Sequence, residues 1–367
     1  MTEQWEAEVR QAISAVLAFL IGIAGVWTLR AKDEKPYEFA ERDGLWVHIK
    51  NYDQSFAAIK LTPAEQRVAV QKRDAIFEVL KNSKVLNPLK GVAVRAEKSV
   101  IGRAGRDGNV LTTGPVVLKV GMTIGHFNRN SKTGEIQPFT IEMPRIEIIT
   151  NDIDTSVATW KANKLRYEEL RDREDRLLFL EPYATATTDN GLKICLLDDW
   201  TEVVLITNGR PLWIPATREQ FLQAMIHDAG IQLGKEKEDR LPGAPPLKES
   251  EYFAAQLLRE YEKELAALLP ADRQQPAYFA YRNDQPLYSG LARAGDPGAR
   301  PVVMYNPDYL NRLLPRTAIQ LIVCTYNYNI PFRSDETIHL HTGIALTMLN
   351  NLARHLEYDK LSALIDK

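Results

Sequence analysis

A chain of 367 residues with 46 basic and 48 acidic side chains carries a net charge of −2, so it has no global field to draw in nucleic acid. Its 45% hydrophobic and 26% charged residues match ordinary globular usage and exclude a largely disordered polymer. The length exceeds the ~100–200 residues of a usual single domain, so two domains or one large one are expected.

The first element is apolar. Between Arg10 and Arg30 lie 19 consecutive uncharged residues, Gln11 to Leu29, with the core Val16-Leu17-Ala18-Phe19-Leu20-Ile21. This is near the ~17–25 residues that span a bilayer, and no polar face relieves it. The run predicts a signal or membrane anchor. Gly22-Ile23-Ala24 suits a cleavage tripeptide, whereas Glu3, Glu6 and Glu8 do not suit the positive start of an export signal. A lone apolar segment before a large body argues for export, with the body extracytoplasmic. Arg30, Lys32 and Lys35 behind it argue for the alternative, an anchored body facing the cytoplasm.

Residues 31–60 read as a polar connecting segment that docks on the fold, punctuated by Trp46, Tyr52 and Phe56. Thr62-Pro63-Ala64-Glu65 is a capping box with proline at the first helical position, and it opens a helix that ends by Asn82. From Gly91 the period changes to that of strands: Val92 to Val94, Val116 to Val120, Ile136 to Ile141 and Ile146 to Ile149. Lys161 to Arg176, with six basic and five acidic residues, reads as a solvated helix. Leu192 to Leu197 and Val203 to Thr207 are further strands, and Asn208-Gly209 is a turn.

A second capping arrangement, Thr217 to Gln220, opens a helix for which Gly230 is the expected stop. Glu249 to Leu269 is an amphipathic helix closed by Pro270. Strand-like runs follow at Tyr278 to Tyr281, Val302 to Tyr305 and Ala318 to Thr325, and a last helix is capped by Ser334. The fold class expected is α+β, with helices packed on antiparallel sheets behind one apolar N-terminal helix. The domain expectation is a signal or anchor at 1–30, an α+β domain at 31–234, a linker at 235–249 and a C-terminal α+β domain at 250–367.

The chemistry is sparse. Gly102, Gly105 and Gly108 lie in a spacing that matches no phosphate loop, and a hairpin is the plainer reading. His339 and His341 point about 200° apart on a helix, which predicts a core histidine and no metal site. Asp198-Asp199 reads as a turn before Trp200. Cys195 and Cys324 sit in apolar runs and read as buried strand thiols, with a disulfide as the less favoured alternative.

The most unusual composition is Tyr305-Asn306-Pro307-Asp308-Tyr309 together with Thr325-Tyr326-Asn327-Tyr328-Asn329. On an extended chain Tyr326 and Tyr328 share one face, and Asn327 and Asn329 share the other. Tyrosine and asparagine offer flat amphipathic area and adaptable hydrogen bonds, so Tyr305, Tyr326, Asn327, Tyr328 and Asn329 are the candidate ligand-binding residues. The expectation is a non-catalytic binding or assembly module of the bacterial envelope with a protein or glycan partner, no cofactor and no nucleic acid. The alternative is a hydrolase whose catalytic groups meet only in the fold.

Overall fold

The protein is seen here as a computed structural model, which describes residues 37–53, 56–103, 110–139, 143–152, 170–171, 176–198, 200–239, 247–280, 291–328 and 340–366. The run Gln11 to Leu29 lies outside them, as do Gly105, Gly108, Asp199, Asn329, Ser334 and His339. Among the described residues no helix is long and apolar enough to cross a membrane.

The architecture is mixed α+β, with two sheets, one of them a half-barrel, and packed helices. The larger sheet contains β1 (Leu45–Asn51), β2 (Val92–Ile101), β3 (Val117–Arg129), β4 (Ile136–Phe139), β5 (Arg145–Thr150), β8 (Ala184–Thr187), β9 (Lys193–Asp198), β10 (Thr201–Thr207) and β15 (Leu321–Asn327). Its order is β1-β2-β3-β5-β15-β10-β9-β8, with β4 on β3. The smaller sheet joins β6 (Leu170–Arg171), β7 (Leu177–Leu180), β11 (Trp213–Pro215), β12 (Tyr278–Phe279), β13 (Leu291–Ala292) and β14 (Arg300–Tyr305). Among the described residues every ladder is antiparallel except that between β1 and β2.

One face of the larger sheet carries the main core. The helix α1 (Pro63–Lys81) lays Ala69, Ile76 and Leu80 on Val92, Val94 and Val120, and two C-terminal helices, α5 (Leu340–His355) and α6 (Tyr358–Ser362), complete the cover with Leu349, Leu352 and Leu361. Thr62 caps α1 as the sequence predicts: its Oγ1 accepts from the Glu65 N–H while Glu65 accepts from the Thr62 N–H. The smaller sheet packs on α2 (Arg218–Glu238) and α3 (Phe253–Ala267), through Phe221, Met225 and Tyr261. Thr217 and Gln220 form the second capping box. A short α4 (Pro270–Arg273) begins at the proline that ends α3.

Several expectations need correction. Gly230 does not stop α2, which runs on to Glu238, because Leu233 is buried beyond it and α3 packs alongside. Residues 31–60 are more than a connector, since β1 pairs with β2 and Trp46 packs edge-on against Phe77 at 5.9 Å. Within the expected helix 161–176, Leu170 and Arg171 form β6, where Leu170 is buried. The hairpin β2–β3 extends well past the short apolar runs, because polar residues continue its ladder from Val92↔His126 to Ile101↔Val117. Gly121 sits where a Cβ would meet the Arg145 guanidinium at 2.8 Å, so the bare backbone leaves room for that side chain to reach Glu147. Strands from both sides of residues 235–249 share the larger sheet, in which β15 lies between β5 and β10.

The two thiols are free and buried. Cys195 pairs with Val203 and Cys324 with Val204, adjacent residues of β10 whose side chains leave opposite faces of the sheet. The sheet backbone therefore stands between them, which is incompatible with disulfide geometry.

Candidate functional site

The structure separates the tyrosines that the sequence grouped. Tyr326 and Tyr328 do share a face of the chain, but it is the face that enters the main core, where they are 0% and 3% exposed. They are packing residues, not an exposed contact surface. The Tyr328 hydroxyl donates to Glu202 Oε2 at 2.8 Å, and Arg354 reaches both oxygens of that carboxylate at 3.2 Å. The Tyr358 hydroxyl donates to the Ala353 carbonyl at 2.9 Å, so its oxygen is left to accept the proton of Tyr326. Burial pushes the pKa of all three phenols up, and the Glu202 charge adds to it at Tyr328 and Tyr358. Asn327 is half-buried in the ladder opposite Thr201 and Arg145.

Tyr305 is elsewhere. It ends β14, and its ring packs on Phe179 with centroids 5.0 Å apart. Beside it opens a cleft of about 730 Å³, lined by Arg103, Thr113 and Gly114 on one segment and by Tyr305, Asn306, Asn311, Arg312 and Arg316 on another. The first group follows β2, and the second lies in the connection between β14 and β15. Strand ends of two sheets thus meet at one opening. Nothing in local sequence spacing signals this, because Arg103 and Arg312 are some two hundred residues apart and the Tyr-Asn motif supplies only part of the wall.

The walls are held by polar ties. Asn306 donates from Nδ2 to the Pro211 carbonyl at 2.9 Å and accepts from the Asp308 N–H at 3.0 Å, which makes an Asx turn directly after the strand. Tyr309, fully buried, donates to the Gln320 carbonyl at 2.8 Å and accepts from the Asn208 N–H at 3.3 Å; burial raises its pKa to about 12. Gln320 exchanges side-chain bonds with the Asn311 backbone at 2.7 and 3.1 Å. Arg316 donates to three carbonyls, those of Gly114, Lys60 and Ile59, at 3.0, 3.1 and 2.9 Å. That guanidinium fixes three segments around the cleft and leaves its positive charge in place. The charge is felt at Glu65, whose carboxyl is held low chiefly by Thr62.

Arg312 is exposed at the rim, where no carboxylate among the described residues pairs with it. Among the described residues, those lining the cleft include no Asp, Glu, His, Cys or Lys. Such a wall attracts oxyanions, since planar guanidinium forks match carboxylate and phosphate oxygens two at a time. Among the described residues no group of three or more His, Cys, Asp or Glu is arranged to hold a metal ion, and His341 lies in α5.

No family model matches this chain, and neither does any curated protein or solved structure.

Proposed function

We propose that this protein is a binding module whose arginine-lined cleft takes a small anionic ligand or an anionic group of a larger partner. The observation that carries the reading is the convergence of Arg103, Arg312 and Arg316 on a cleft whose lining, among the described residues, holds no carboxylate. A volume of about 730 Å³ falls within the ~300–1,000 Å³ typical of ligand sites. Among the described residues the lining also holds no side chain that accepts a proton near neutral pH, which supports binding over hydrolysis. The uncharged run Gln11 to Leu29 supports a membrane tether for this body, with the extracytoplasmic face of a bacterial envelope as its proposed location.

Calorimetric titration of the full chain with pyrophosphate is the test. Heat of binding that weakens with added salt, and an affinity at least tenfold lower in Arg312→Glu at an unchanged thermal midpoint, is the expected outcome. Absence of binding for pyrophosphate, inorganic phosphate and citrate alike, or an affinity indifferent to Arg312→Glu, refutes the assignment.

A further inference from the structure

A second groove, of about 470 Å³, lies where the described chain begins: Tyr37, Ala40 and Val85 face Ile344, Thr347 and Met348 of α5. The opposite side of that helix, Ala345, Leu349 and Leu352, is used up in the main core. Ile344, Thr347, Met348 and Asn351 recur at helical spacing, so α5 carries a second stripe in which two apolar side chains alternate with polar ones and Thr347 is exposed.

The chain enters the groove at a fixed point. The Tyr37 hydroxyl donates to the Phe127 carbonyl at 3.1 Å and accepts from the Phe127 N–H at 2.7 Å. Leu29, the last residue of the uncharged run, is eight residues before Tyr37, so it lies at most about 28 Å away even along a fully extended path. The intervening Arg30, Lys32, Asp33, Glu34 and Lys35 suit a solvated strap. Residues 329–339, which precede α5 in sequence, carry Arg333, Asp335 and Glu336 and are a poorer match for apolar walls.

We infer that, away from a bilayer, the groove shelters the Val26–Leu29 end of the uncharged run. Val26 and Leu29 are apolar residues at the end of the run nearest Tyr37 in sequence, and apolar side chains are what walls that carry Ile344 and Met348 favour. An apolar segment leashed this close gains a high effective concentration at the site, and docking removes its surface from water. The proposal is independent of what the arginine cleft binds.

The experiment uses the full chain carrying Thr347→Cys, in lipid-free buffer. Cys195 and Cys324 are buried, so a maleimide reports on the groove. Labelling is expected to be slow, and at least tenfold faster when Val26→Asp and Leu29→Asp are added at unchanged thermal midpoint. Mild oxidation of Val26→Cys with Thr347→Cys should give a disulfide within one chain. Equal labelling rates overturn the inference, as does preferential pairing of Thr347→Cys with Phe332→Cys. A disulfide between two chains, or protection that develops only with phosphatidylcholine vesicles, overturns it as well.

Discussion

At the scale of single residues, the largest consequence of the fold is that the tyrosines of β15 are ballast for the core. Tyr326 fills space against Tyr358, and Tyr328 supplies one of the bonds that satisfy Glu202, which is 5% exposed. A buried carboxylate requires every available partner, because its desolvation is only repaid when guanidinium and hydroxyl donors converge on it. Tyr328→Phe keeps the ring and removes one donor, so equilibrium urea unfolding should show a loss of about 1.5–3 kcal/mol, the usual worth of a hydrogen bond to a charged group. Tyr326→Ala also opens a cavity and should cost about 3–5 kcal/mol in the same measurement. A loss below ~0.5 kcal/mol for Tyr326→Ala would mean that the ring is not in the core. By contrast Arg312→Glu changes an exposed position and should leave stability within about 0.5 kcal/mol while it removes anion binding.

At the scale of elements, legibility followed the strength of local signals. Both capping boxes and α1 could be read from the sequence, because a Thr, a polar N3 residue and an apolar period leave a local signature. Strands β9, β10, β14 and the apolar half of β15 were legible for the same reason. The short β6, β11 and β13 were not, since two or three residues carry no period and exist only because a neighbouring strand offers a ladder. The misread end of α2 has a similar origin: Gly230 is a local stop signal, but tertiary packing of Leu233 against Ala254 and Ala255 carries the helix through it. That helix gives a direct test. A Cβ built at Gly230 or Gly234 meets nothing within 4 Å, so Gly230→Ala and Gly234→Ala should each stabilise the protein by about 0.5–1 kcal/mol, read as a raised thermal midpoint. If either change lowers it, α2 does not continue as a helix through that position.

At the scale of the whole molecule, the candidate cleft illustrates what a linear reading misses: its arginines meet because β2 and the β14–β15 connection belong to strands brought side by side from distant parts of the chain. The same long-range topology buries several phenols, among them Tyr326, Tyr328 and Tyr358 under the helices and Tyr309 behind the cleft. Each of these four has its pKa raised, chiefly by loss of hydration, and Tyr309 is raised to about 12. In the unfolded chain a tyrosine deprotonates near pH 10. Above that pH the unfolded state releases protons that the folded state still holds, so stability falls as pH rises; below it both states are protonated and the contribution is fully present. The four groups should therefore act together, and the thermal midpoint should drop steeply from about pH 10 upwards. Replacing Tyr309 by Phe removes a phenol that titrates between about pH 10 and 12, and should make the midpoint fall less steeply in that window, at the cost of the bond to the Gln320 carbonyl at every pH. A midpoint that stays flat to pH 11.5 in the native sequence would show that these hydroxyls are reached by solvent, and would remove the argument that their burial organises the core and the back wall of the cleft.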